Sequence, residues 1–319
     1  MTKIRDHGGG IDAAVAQYGG TRAGWVDLST GINPVPYPVP EIPADAWMSL
    51  PDQTAQSQLL NAARRFWNVP DGAQIVAAPG ASALIANLPA LAQSGGVYIP
   101  RPTYNEHAAA FKAHGIPVSP DDPDQPTHVY VHPNNPDGRL WPSPPQDRAL
   151  TIIDESFCDV TPAETHIQRA ARPGTVILKS FGKFWGLAGV RLGFAIAHPQ
   201  TFAPLNGPGL ADLLGPWAVS GPALEIGAHA LSDPDWAQRT RRRLAADTAR
   251  LDRLMIAAGA KVHGGTPLFR LYRVSAASAW QERLAKHRIW TRIFPYSDHF
   301  LRLGLPAPQH WARLETALS

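Results

Sequence analysis

Along the first two thirds of the chain, apolar positions switch between two periods. From 53 to 67, Leu59, Leu60, Ala63, Phe66 and Trp67 recur at helical spacing, and Asn68 with Pro70 supplies the stop. Short apolar runs then alternate with helical segments. Strands are predicted over 74–78, 96–99, 128–132, 151–154, 175–178 and 192–197, and helices from about Ser82 through Leu91 and from Asn105 to His114. That alternation predicts an α/β fold with a mostly parallel central sheet flanked by helices. After about residue 201 the pattern changes. Helices dominate from 223 to 258, and strands over 268–274 and 300–303 surround a helix over 277–287. A second, smaller α+β domain is expected there. The first 40 residues are irregular and close with Asn33-Pro34-Val35-Pro36-Tyr37-Pro38-Val39-Pro40, which predicts a mobile or surface-wrapping arm. The divisions read as 1–40 for an arm joining the small domain, 41–205 for the large domain, and 206–319 for connecting helices and the small C-terminal domain.

Composition narrows the class. The 319 residues include 27 Gly and 32 Pro, above the usual combined share of roughly 12% but below the roughly 25–30% of low-complexity chains. The chain is therefore globular and rich in turns. Its formal net charge of +3 is too small to argue for nucleic acid. The densest basic run, Arg239-Thr240-Arg241-Arg242-Arg243, lies inside a helical pattern with no interleaved aromatic residues. It reads as a solvated or subunit-facing helix surface. A single cysteine, Cys158, excludes an intramolecular disulfide framework and fits a reducing compartment. The opening residues carry no apolar stretch behind their charges, and no window approaches the roughly 18 apolar residues of a membrane span. The expectation is a cytoplasmic protein with no metal site and neither nucleic-acid nor membrane partners.

Chemistry gathers at the strand ends. Four apolar strands stop at polar or Gly-rich residues: Pro79-Gly80-Ala81-Ser82, His132-Pro133-Asn134-Asn135-Pro136-Asp137-Gly138, Asp154-Glu155-Ser156, and Lys179-Ser180-Phe181-Gly182-Lys183. In open parallel sheets, ligands bind outside the carboxyl ends of the strands, so these segments should converge on one pocket. Lys183 follows a buried strand and is flanked by Phe181, Phe184 and Trp185, a setting that desolvates an amine and makes it nucleophilic. Asp154 could cap a helix or hold a protonated ring nitrogen. Arg191 with Ser180 and the helix start at Ala81-Ser82 could form a phosphate cradle. Asn135 alone satisfies ordinary turn chemistry.

The stretch Ser180-Phe181-Gly182-Lys183-Phe184-Trp185-Gly186-Leu187-Ala188-Gly189-Val190-Arg191-Leu192-Gly193 resembles the lysine-bearing segment of class I/II aminotransferases of fold type I. Asn134-Asn135-Pro136-Asp137-Gly138 resembles that family's Asn-Pro-x-Gly signature, and the resemblance runs from Asp27 to Leu305. It implies pyridoxal phosphate held covalently by Lys183, with Asp154 on the pyridine nitrogen and Asn135 on the ring hydroxyl oxygen. It also implies Tyr104 stacked on the ring, and Ser180, Arg191, Ala81 and Ser82 on the phosphate. Arg302 matches the arginine that grips the substrate carboxylate. Where many relatives carry Tyr three residues after the Asp, this chain has Phe157, which removes one hydrogen bond to the cofactor.

Two N-terminal stretches narrow the branch. Asp6-His7-Gly8-Gly9-Gly10 and Asp27-Leu28-Ser29-Thr30-Gly31-Ile32-Asn33-Pro34 look like the signature of threonine-phosphate decarboxylases of cobalamin biosynthesis, neighbours of the histidinol-phosphate aminotransferases. The resemblance implies conversion of L-threonine O-3-phosphate to (R)-1-aminopropan-2-yl phosphate and CO2. Transamination of the histidinol-phosphate type is the alternative. A phosphorylated substrate needs donors beyond those spent on the cofactor. His7, the amides of Gly8 and Gly9, Asn33 and Arg292 are the candidates, with successive glycine amides able to form an anion nest. A homodimer is implied by the family.

Overall fold

In the computed structural model, the described residues are 7–93, 95–203 and 207–319. Asp6 and the expected 205/206 division lie outside them. The strands, in chain order, are β1 Val26–Asp27, β2 Gln74–Ala78, β3 Val97–Tyr98, β4 Val118–Ser119, β5 Thr127–Val131, β6 Leu150–Asp154 and β7 Thr175–Ser180. They continue as β8 Gly193–Ala197, β9 Lys261–Thr266, β10 Phe269–Arg273, β11 Ile289–Trp290, β12 Arg292–Phe294 and β13 Ser297–Gly304. The chain forms two compact units. One comprises Tyr37–Asn135 and Leu140–Gln238, the other the residues up to Pro36 with Pro136–Arg139 and Arg239–Ser319.

The larger unit is built on a seven-stranded sheet in the order β2-β8-β7-β6-β5-β3-β4. The pairs β3–β4, β3–β5, β5–β6 and β6–β7 are parallel, while β8 runs antiparallel to β2 and β7. Every residue of β5, β6 and β8 is buried, which is why these strands read as continuous apolar runs rather than alternating ones. The period of two still sorts their side chains. Val129, Ile152, Val176 and Leu178 pack in one core with Leu84, Ile85 and Phe111. Val131, Asp154 and Ser180 continue that same face to the carboxyl end of the sheet, whereas Ile153, Ile177 and Lys179 point to the other. The helix Gln53–Phe66 begins as predicted. Asp52 caps it by accepting from the Ala55 amide at 2.8 Å, and Arg64 and Arg65 complement its C-terminus.

The smaller unit carries an antiparallel sheet in the order β12-β13-β10-β9 and a parallel pair, β1 with β11. The N-terminal segment is more ordered than an irregular arm. Residues Ile11–Tyr18 form a helix, in which Ile11 and Ala14 pack with Trp25 and Ala285. The periodicity was too short to announce an eight-residue helix. The division also differs from the expected one, because the helix Gly221–Leu231 belongs to the larger unit and the boundary falls inside the 24-residue helix Pro234–Ala257. Its start at Pro234 reflects proline's fit to a first helical turn.

Candidate active site

At the carboxyl ends of β5, β6 and β7, a cavity of about 100 Å³ is lined by all eight residues expected around the cofactor. Asp154 ends β6 and is 2% exposed. Its Oδ2 lies 2.8 Å from His107 Nε2, and its Oδ1 accepts from the Ser156 amide at 3.0 Å and the Ser156 hydroxyl at 2.5 Å. Burial pushes the Asp154 carboxyl up. The bond and charge of His107, with the two Ser156 donors, outweigh that and leave the pKa below the ordinary aspartate value. The cavity floor therefore carries a fixed negative charge.

Opposite it, backbone approaches closely. Gly80 has φ +90, and a Cβ there would lie 2.6 Å from Arg191 Nη2. A Cβ at Gly193 would lie 2.4 Å from the Ala81 amide nitrogen. Only glycine lets the start of β8, the Arg191 guanidinium and the helix beginning at Ala81 share this corner. Arg191 adopts a left-handed backbone at φ +56, unusual for a residue with a Cβ, and donates from Nη1 to the Ala188 carbonyl at 3.2 Å. With Ser180 ending β7, this corner has the cation, hydroxyl and amides that suit a phosphate.

Lys183 follows three residues after β7. Its Nζ sits 5.5 Å from the centroid of the Phe157 ring, so the residue that replaces a tyrosine presents a π face to the amine instead of a hydroxyl. Behind it, Trp185 is sandwiched between Phe181 (5.3 Å, 11°) and Trp236 (5.2 Å, 12°). This packing makes the lysine-bearing turn rigid. Two loops are also tied together. Thr103 donates to Asn134 Oδ1 at 2.7 Å and Asn134 Nδ2 donates to the Pro102 carbonyl at 3.0 Å, which holds Tyr104 and Asn135 in register. A ring nitrogen, a hydroxyl, a phosphate and an aldehyde thus each find their complement in the cavity, and pyridoxal phosphate fits the residues present.

The six candidates for substrate lie in the smaller unit. Arg302, 3% exposed, donates to the Ser29 carbonyl at 2.6 Å. Arg292 stands directly opposite it across β12 and β13. The Gly9 amide donates to Ser29 Oγ at 2.7 Å, so it is engaged within the chain, and a Cβ at Gly8 would lie 2.4 Å from the Ser29 carbonyl oxygen. Ser29 therefore gathers Gly8, Gly9 and Arg302. Asn33 is buried and held separately. Its Oδ1 accepts from Val35 N at 3.0 Å and from Arg243 Nη2 at 2.5 Å. Arg243 also pairs with Asp247 at 3.0 Å, so this member of the basic run is structural rather than solvated. His7 is exposed.

Sequence reasoning missed His107, Asn134, Ser29 and Arg243. The only signal for His107 was its place three residues after Tyr104, on the same helical face. Among the described residues, no group of three or more His, Cys, Asp or Glu could hold a metal ion, and no helix is long and apolar enough to cross a membrane.

Comparison with known proteins agrees with this geometry. The sequence model for aminotransferase class I and II matches residues 41–127 and 129–318. A threonine-phosphate decarboxylase from Sinorhizobium sp is 40% identical over 316 residues, covering 94% of this chain and 92% of that one. Another, from Pseudomonas aeruginosa, is 36% identical over 331 residues, covering 98% and 97%. The histidinol-phosphate aminotransferase from Sinorhizobium meliloti, solved in complex with pyridoxal-5'-phosphate, superposes with a TM-score of 0.78 at 16% identity, covering 99% and 94%, a likeness of fold. The chain belongs to the class I and II aminotransferase family.

Proposed function

We propose that this protein is a pyridoxal-phosphate-dependent lyase that decarboxylates L-threonine O-3-phosphate to (R)-1-aminopropan-2-yl phosphate, a step of cobalamin biosynthesis. The two near-full-length relatives of that name support the reading. The structural observation that carries it is the opposition of Arg292 and Arg302 on adjacent strands. Two arginines at one register position bring paired guanidinium forks to one place on the sheet, and such forks suit the carboxylate and the phosphate of this substrate.

When bound, pyridoxal phosphate supplies an aldehyde and an electron-withdrawing ring. The chain does the rest. Asp154, kept ionised by His107 and Ser156, favours a proton on a ring nitrogen placed against it. Arg191, Ser180 and the amides at Ala81 and Ser82 hold the cofactor phosphate, Asn135 the ring oxygen, and Tyr104 the ring face. Arg302 grips the substrate carboxylate, while Arg292, His7, Gly8 and Asn33 serve its phosphate; the Gly9 amide, expected there too, is spent on Ser29 Oγ. Orientation of the substrate selects the bond that breaks. The Cα–carboxylate bond is lost as CO2, and Lys183 delivers the proton that takes its place.

Incubation with threonine phosphate and no keto-acid acceptor is expected to release CO2 stoichiometrically over many turnovers. Accumulation of pyridoxamine phosphate without CO2 would establish the aminotransferase reading instead.

The protein also acts as a cytoplasmic homodimer in this reading. Trp47, Met48 and Leu50 are 68%, 79% and 66% exposed within four residues, an apolar patch that supports association. Light scattering is expected to give twice the 34.4 kDa chain mass, and Met48→Glu with Leu50→Glu to return monomer. A wild-type monomer at micromolar concentration would refute this.

A further inference from the structure

The face of the larger sheet turned away from the cavity holds a buried charge cluster that the reaction does not use. Lys179, in β7, has its Nζ 2.6 Å from Glu155 Oε2 and 3.7 Å from Asp159 Oδ1, and none of these side chains is more than 5% exposed. Glu155 also accepts from Thr165 Oγ1 and from the His166 amide, each at 2.5 Å. Trp67 Nε1 donates to Asp159 Oδ1 at 2.9 Å. Burial alone would lower the Lys179 ammonium's pKa, but the two carboxylates outweigh it and hold the amine charged.

A buried ion pair is weak evidence of stabilisation, because desolvation offsets its attraction and apolar side chains of similar volume serve as well or better. The same face shows that alternative, since Ile153 and Ile177 lie there fully buried. What distinguishes the ionic cluster is its place. Glu155 is the residue after Asp154, and Lys179 the residue before Ser180. The Glu155 amide donates to the Leu178 carbonyl at 3.0 Å, continuing the β6–β7 ladder past its last paired residues.

We propose that Lys179 is a positioning residue for the cofactor site. By drawing Glu155 and Asp159 together from the far face, it fixes the two strand ends from which Asp154 and Ser180 enter the cavity. This rests on the reading that the cavity takes pyridoxal phosphate.

The test separates position from stability. The variant Lys179→Met/Glu155→Gln/Asp159→Asn removes all three charges while keeping acceptors for Thr165, His166 and Trp67. It is expected to stay folded, yet its apoprotein should bind pyridoxal phosphate about 10-fold or more weakly, the scale on which supporting groups behind ligating side chains act. The pH midpoint of the bound cofactor's visible absorbance should shift as well. Lys179→Arg should hold both values near wild type. If the neutral triple variant binds pyridoxal phosphate with the wild-type dissociation constant and pH midpoint, the cluster is structural only and the proposal falls. Should the triple variant not fold, Glu155→Gln alone decides by the same two readouts. Failure of the wild-type apoprotein to take up pyridoxal phosphate would instead sink the cofactor reading itself.

Discussion

Lys183→Ala is expected to abolish turnover and to remove the visible absorbance of lysine-bound cofactor. Two losses combine. The amine is the proposed covalent anchor of the aldehyde and the proposed proton donor to the substrate's α-carbon. General acid–base transfer alone is worth about 10²–10⁴-fold, so CO2 release should fall by at least about 10⁴-fold. Stability should change little, because Phe181, Phe184 and Trp185, all fully buried, carry the packing of this turn rather than the half-buried Lys183. A thermal midpoint close to wild type, with the visible band gone, is the anticipated pair of results. A band that survives the substitution would show that another amine holds the cofactor.

Asp154→Asn is the second substitution of large effect. The asparagine can still meet His107 and Ser156, but it cannot place a negative charge on the cavity floor. Loss of one preorganised electrostatic partner in a water-excluded site costs roughly 10²–10³-fold in turnover, and we expect kcat to fall on that scale with KM for threonine phosphate nearly unchanged. Turnover close to wild type would mean that the ring nitrogen has no use for the charge. The same carboxylate makes a pH statement. Its folded-state pKa is lowered, so its contribution to stability is complete above the unfolded value near 3.9 and is lost as pH falls through the lowered one. The wild-type protein should therefore lose stability more steeply than Asp154→Asn on acidification below about pH 4, as followed by circular dichroism.

Most of the cavity was legible because its residues sit where an apolar strand stops. β2, β6 and β7 were anticipated to within a few residues, and their polar ends, Gly80-Ala81-Ser82, Asp154 and Ser180, share one cavity because parallel strands end on one side. Strands β1, β4, β9, β11 and β12 were not legible. β9, Lys261–Thr266, is polar and glycine-rich because it is an edge strand with its first three residues exposed, so it lacks the apolar run that marks an interior strand. The partners that tune the site were hidden for a different reason. His107 meets Asp154 across 47 positions, and Arg243 meets Asn33 across 210. Such pairings follow from sheet order and helix placement, which local periodicity does not encode. The Arg239–Arg243 run illustrates it. A helix face that looks like solvent in one dimension is half-occupied by an internal contact in three.

The parallel pairing of β1 with β11 bears on how the protein is made. Val26 pairs with Ile289 and Asp27 with Trp290, so the first strand finds its partner only after about 260 further residues have left the ribosome. At about 5–20 residues per second, that wait lasts roughly 15–50 s. The sheet β2–β8 can assemble during this interval, since its last strand ends at Ala197. Through the same interval Ile11, Ala14 and Trp25 remain exposed, because their partner Ala285 has not yet been translated. A nascent chain of this protein should therefore carry a finished sheet and a sticky N-terminal segment together, and be most dependent on chaperones until Ala285, Ile289 and Trp290 have emerged.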